Sequence, residues 1–123
     1  MSGHIVLIGL SGSGKSTVGQ ALATRLERPL YDTDTLLAQR ARMPVPELLR
    51  ADAARFRALE EEVIVATVAA TAGVIATGGG VVLSARNRDT LRQGNLVVWL
   101  RAPVATLCAR LVAGEERPLL AGD

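Results

Sequence analysis

Gly9-Leu10-Ser11-Gly12-Ser13-Gly14-Lys15-Ser16-Thr17 is the stretch that decides the fold. It matches G-x-x-x-x-G-K-[ST] in full, the pattern of a loop whose backbone N–H groups cradle phosphates. The glycines let the backbone turn its donors toward an anion. The helix that follows adds the positive end of its dipole. Lys15 supplies a point charge for the outer phosphates, and the Ser16 hydroxyl suits magnesium. Context supports this reading. Residues 4–8 form an apolar run that predicts a buried strand, and residues 15–27 predict a helix, with Val18, Ala21, Leu22 and Leu26 at helical spacing and Pro29 as its stop.

Further along, residues 30–32 predict a second strand, and residues 35–42 a helix with Thr33 or Asp34 as its cap. Pro44 and Pro46 interrupt the chain, and Pro46 suits the first turn of a new helix. Helical pattern then continues to residue 72, with a break near residues 51–53 and Gly73 after it. Residues 74–77 predict a third strand, followed by Gly78-Gly79-Gly80. Ser84 suits the cap of a helix to Arg92, and residues 96–100 predict a fourth strand. Residues 103–113 read as a helix, and 114–123 show no clear structure. There is no internal repeat or linker, so residues 1–123 read as a single domain. Strands alternating with helices imply a three-layer α/β/α fold around a parallel sheet.

In such a sheet, ligands bind beyond the carboxyl ends of the strands. Three strands here end in distinctive residues: the phosphate loop, Asp32-Thr33-Asp34 and Gly78-Gly79-Gly80. All three fall on one rim if the strands are parallel. Asp32 and Asp34 alternate, so one carboxylate suits a hydrated magnesium ion and the other an acceptor hydroxyl. Three glycines after a strand suggest a close backbone approach to a ligand. Arg57 and Glu60 lie three apart and share a helix face, which on local grounds reads as a solvated ion pair. Phe56 reads as core, and His4 and Trp99 as structural. Arg117 reads as an exposed loop arginine that could also close over a phosphate site. Arg110 suits the negative end of its helix or a nucleotide.

Composition narrows the classes. Of the 123 residues, 49% are hydrophobic and 2% aromatic, so the core is built from Val, Ile, Leu and Ala. The net charge of +2 fits a small anionic ligand and is too weak to argue for nucleic acid. Cys108 is the one cysteine, which excludes an internal disulfide and reads as a small buried residue. No run reaches the ~20 apolar residues of a membrane span, and no signal peptide is visible, so a cytoplasmic protein is expected.

Taken together, G-L-S-G-S-G-K-S-T, D-T-D, F-R-A-L-E, G-G-G and R-P-L-L, in that order, resemble the shikimate kinase family. The resemblance runs from Ile5 to Asp123. It implies a P-loop kinase with a five-stranded sheet in the order 2-3-1-4-5 and an ATP-dependent phosphorylation of shikimate to shikimate 3-phosphate in aromatic amino-acid biosynthesis. It implies that Gly12, Ser13, Gly14, Lys15, Ser16 and Thr17 bind ATP phosphates, with Mg2+ on Ser16 and, indirectly, Asp32. Asp34 resembles the residue that holds the shikimate hydroxyls and acts as base, and Arg57 the clamp on the carboxylate. Gly78, Gly79 and Gly80 would meet the substrate through backbone. Arg117 would belong to a lid that reaches the ATP phosphates, making Lys15, Asp34 and Arg117 the catalytic set, and Arg110 would line the adenine side.

The chain departs from that family in two places. Asp52-Ala53 stands where the family has Gly-Glu, removing one acidic group near the substrate. The family also continues past R-P-L-L through a fifth strand, whereas this sequence stops at Asp123. The expectation is therefore a C-terminally incomplete domain whose residues 112–123 begin the lid, with strand four an exposed edge. The expected partners are ATP, ADP and shikimate, with no nucleic acid or membrane, and a monomer. Two other readings stay open on residues alone: a P-loop kinase for another hydroxy acid such as gluconate, and a nucleotide-binding module without turnover.

Overall fold

A computed structural model describes residues 3–9 and 14–101 of the chain. The helix expected over residues 103–113, Cys108, and the lid expected over residues 112–123 lie outside them.

Four parallel strands form one sheet in the order β2-β3-β1-β4: β1 (Ile5–Ile8), β2 (Leu30–Asp32), β3 (Val74–Ala76) and β4 (Leu96–Trp99). Consecutive strands β1 and β2 are not neighbours, because β3 inserts between them. In register, Asp32 pairs with Ala76, Leu7 with Ala76, and Ile8 with Trp99. The strands therefore finish level, and the segments that leave them emerge on one rim, as the motif positions require. Among the described residues β4 pairs only with β1, so it is an edge here, with Leu96 and Trp99 exposed. Trp99, expected to be structural, is 63% exposed on this edge strand.

Side chains alternate across the sheet. Val6 and Ile75 pack with Ile64, Val81 and Leu91 on one face, while Leu7 and Val74 pack with Ala23 on the other. Each fully buried aliphatic side chain contributes about 1.5–3 kcal/mol. The second face is covered by α1 (Lys15–Leu26), which sits close because Gly19 has no side chain. A Cβ there would meet Leu30 at 3.2 Å and Leu7 at 3.4 Å. The helix ends at Glu27 in the left-handed region (φ 53°), two residues before Pro29, with the Arg28 N–H donating to the Ala23 carbonyl.

Helix α2 (Thr33–Ala41) begins two residues earlier than expected, and its cap is Asp32, not Thr33 or Asp34. Asp32 is at once the last residue of β2 and the N-cap: its Oδ1 accepts from the N–H groups of Asp34 at 3.0 Å and Thr35 at 3.2 Å. Helices α3 (Val45–Ala51) and α4 (Ala53–Val68) are divided by Asp52, which ends one and caps the other by accepting from the Arg55 N–H. The expected break is thus an acidic cap. Helix α4 stops four residues before residue 72, and Gly73 instead precedes β3. Phe56 lies in a separate apolar cluster with Leu37, Ala41, Leu48 and Val63, joining α2, α3 and α4. After β3, a 3-10 turn over Val81–Leu83 leads to α5 (Ala85–Arg92), whose cap is Ser84, as expected.

On the opposite rim, His4 is buried and structural. Its Nδ1 accepts from the Gly73 N–H at 3.0 Å, which leaves Nε2 to donate to the Val68 carbonyl at 3.0 Å. The ring meets that of Tyr31 edge-on.

Candidate active site

The site is assembled where β1, β2 and β3 release the chain. After β1, Gly9 has φ 151°, and Gly14 caps α1 with φ 92°, a left-handed conformation that a side chain would resist. Lys15 begins α1 and is only 1% exposed, and its ammonium donates to the Gly9 carbonyl across the loop. A buried ammonium on a backbone acceptor beside a helix N-terminus is a strong local positive charge, suited to an anion. Ser16 is half-buried and Thr17 exposed on the same first turn. Gly12 and Ser13 lie outside the described residues, as do Arg110 and Arg117.

After β2, the first turn of α2 carries Thr33 and Asp34. After β3 comes the glycine turn. The two segments touch: the Gly78 N–H donates to Thr33 Oγ1 at 3.0 Å. Asp34 lies against the same glycine so closely that a Cβ on Gly78 would stand 2.5 Å from Asp34 Oδ1. At the other end of the turn, a Cβ on Gly80 would stand 3.0 Å from Arg57 Nη1. The turn thus runs from a carboxylate to a guanidinium, and at both ends the absence of a side chain makes the approach possible.

Arg57 comes from the first half of α4. Its Nη1 donates to Glu60 Oε1 at 3.1 Å and reaches the Gly80 carbonyl at 3.5 Å, while its guanidinium lies 4.9 Å from the centre of the Phe56 ring. The pair with Glu60 is not the solvated pair the helix spacing suggested. Arg57 is 45% exposed, but Glu60 is 3% exposed. Burial pushes the Glu60 carboxyl above its ordinary range, with the Arg57 hydrogen bond and charge opposing that rise. Glu60 therefore acts as a buried bracket that holds the arginine toward the glycine turn.

The structure thus brings Asp34, Gly78, Gly80 and Arg57 together, and joins Gly79 to Gly9 along a cleft of about 390 Å³ walled by Ile8, Val97 and Trp99. Asp32 is committed through Oδ1 to capping. Two residues were undervalued by sequence: Glu60, whose burial depends on how α4 packs, and Thr33, whose hydroxyl faces β3 and not its own helix. The only signal for Thr33 was a hydroxyl side chain between two aspartates at a strand end. Chemically, the site offers a cationic anion-binding loop, then a carboxylate, exposed backbone and a guanidinium within one turn. That set can hold a phosphorylated nucleotide next to a small hydroxylated acid. Among the described residues no group of three or more His, Cys, Asp or Glu side chains could cage a metal. A hydroxyl and one carboxylate beside phosphates fit magnesium, which keeps several of its waters.

Comparison with known proteins identifies the family. The shikimate kinase family model matches residues 11–123. A shikimate kinase from Moorella thermoacetica is 45% identical over 123 residues, covering 99% of this chain and 71% of that protein. A solved shikimate kinase from Acinetobacter baumannii in complex with shikimate superposes with a TM-score of 0.86 at 35% identity, covering 98% of this chain and 68% of that one. A gluconokinase from Sinorhizobium meliloti is less similar, with a TM-score of 0.68 at 25% identity, covering 98% of this chain and 73% of that one.

Proposed function

We propose, from the premise that this chain belongs to the shikimate kinase family, a specific division of labour for the ATP-dependent phosphorylation of the shikimate 3-hydroxyl. The observation that carries it is the glycine turn with Asp34 at one end and Arg57 at the other.

Phosphoryl transfer needs alignment and charge stabilisation more than covalent chemistry. Gly12, Ser13, Gly14, Ser16 and Thr17 hold the ATP phosphates through the loop and the α1 N-terminus. Lys15 leaves the Gly9 carbonyl for the outer phosphates. Asp34 accepts a hydrogen bond from the acceptor hydroxyl and aligns it for in-line attack. Arg57, bracketed by Glu60, forms paired hydrogen bonds to the shikimate carboxylate at the far end. The N–H groups of Gly79 and Gly80 approach the substrate between them. Ser16 and, through water, Asp32 Oδ2 would hold Mg2+, which neutralises phosphate charge when bound. Arg117 completes the catalytic set with Lys15 and Asp34, and Arg110 lies on the adenine side. Residues 112–123 begin the lid of a single domain. A monomeric unit and a cytoplasmic location belong to the same proposal.

The test is ADP release from magnesium-ATP by the 123-residue chain, with shikimate, with gluconate and with neither. Release that depends on shikimate alone is the expected result. Release with gluconate instead would overturn the acceptor assignment. Nucleotide binding without any acceptor-dependent release would overturn turnover by this chain.

A further inference from the structure

Strands β2 and β3 stay paired as far as Asp32 and Ala76. Beyond that point β2 winds into α2, so its backbone carbonyls turn away from β3. The next buried donor on the β3 side, the Gly78 N–H, needs another acceptor. The Thr33 hydroxyl provides it at 3.0 Å, from a residue that is 2% exposed. One side-chain bond thus continues the ladder by one step and fixes the glycine turn to the first turn of α2.

The neighbours of that bond are the groups assigned to the acceptor. Asp34 follows Thr33 in the chain, and its carboxylate lies against Gly78. The turn then leads to Gly80, whose carbonyl receives Arg57 Nη1. A shift of the turn relative to α2 would change the gap beside Asp34 and the span from Asp34 to Arg57 together. On its other side β3 is held to β1 by separate bonds, from the Thr77 N–H and hydroxyl to the Leu7 carbonyl.

We infer that Thr33 is a positioning residue: its hydroxyl sets the separation between the Asp34 carboxylate and the glycine turn, and so the fit of the acceptor. This inference rests on the assignment of Asp34, Arg57 and the glycine turn to the acceptor. It predicts a selective effect. Thr33→Val keeps the shape but removes the acceptor for a buried donor, and should raise the KM for shikimate by about tenfold or more. The KM for ATP should stay within about twofold, because Thr33 is not among the residues assigned to the nucleotide. Thr33→Ser keeps the hydroxyl and should restore the shikimate KM to within about threefold of the parent.

The experiment measures both KM values for the parent and the two variants, together with hydrogen exchange of the Gly78 amide by NMR. Exchange of that amide should quicken in Thr33→Val and stay near the parent rate in Thr33→Ser. An unchanged shikimate KM in Thr33→Val overturns the inference, as does a parallel loss of shikimate and ATP affinity. If Thr33→Val does not fold, a shikimate KM raised well beyond threefold in Thr33→Ser overturns it alone. A parent without shikimate-dependent turnover overturns the kinase assignment and the acceptor role with it. The exchange data then still decide whether Thr33 anchors the turn.

Discussion

Gly78→Ala adds one methyl group where the structure has no space for it. The Cβ would stand 2.5 Å from Asp34 Oδ1, 3.0 Å from Cγ and 3.1 Å from Oδ2. Ordinary contact begins at 3.4 Å, so the nearest oxygen must retreat by about 0.9 Å. Gly78 does not have a positive φ, so an alanine backbone fits and the damage is confined to the carboxylate. Asp34 is the group proposed to align the acceptor hydroxyl, and a misplacement of ~1 Å in such a group costs on the order of 100-fold. That corresponds to about 2.7 kcal/mol of lost transition-state stabilisation. The assay is kcat/KM for shikimate from coupled ADP release, beside a nucleotide dissociation constant and a melting curve. The expected pattern is a loss of about 100-fold in kcat/KM, with nucleotide affinity and melting temperature close to those of the parent. A kcat/KM within threefold of the parent in a folded Gly78→Ala protein would refute the contact between Asp34 and the turn as a determinant of activity.

Other expectations follow from the same geometry. Arg57→Lys should raise the KM for shikimate by about tenfold with little effect on ATP, because an ammonium cannot form the paired bonds of a guanidinium; an unchanged KM would remove Arg57 from the acceptor site. Glu60 carries a carboxyl pushed above its ordinary value of 4.5 by burial, so the folded chain holds that proton more tightly than the unfolded chain. Its contribution to stability is therefore greatest below 4.5 and is lost as pH rises through the raised value. Glu60→Gln should gain on the parent over that rise, and urea midpoints measured across it would show a constant difference if the reasoning failed. His4→Phe would strand the Gly73 N–H and the Val68 carbonyl, costing about 2–6 kcal/mol at ~1–3 kcal/mol for each group. Thermal unfolding would reveal that loss, while the shikimate KM of the folded protein should not move, since His4 lies on the opposite rim.

The parts of this protein that were legible in the sequence are those fixed by short-range chemistry. The phosphate loop carries its own glycines, lysine and hydroxyl in one continuous stretch. The alternation of strands and helices placed Asp34 and Gly78-Gly79-Gly80 on the same rim before any coordinates, and the sheet order β2-β3-β1-β4 agrees with the resemblance. What was not legible depends on pairing between distant segments. Asp32 serves as strand end and helix cap together, and neither role is visible without knowing where β2 stops. Glu60 reads as a surface carboxylate from its spacing to Arg57, and only the packing of α4 buries it. Thr33 reads as a helix cap, and only the position of β3 turns its hydroxyl into an acceptor for Gly78. Trp99 reads as structural in an apolar strand, and only its place on the edge exposes it.

That exposed indole gives the protein an optical probe of its own. Trp99 is the single tryptophan in the chain, and it forms part of the same cleft wall as Gly9 and Gly79. The guanidinium of Arg101 lies 4.8 Å from its ring centre. Whatever fills the cleft must change the water around one chromophore, with no second tryptophan to dilute the signal. Emission wavelength and quenching by iodide would then follow occupancy of the cleft directly, in unlabelled protein and without turnover.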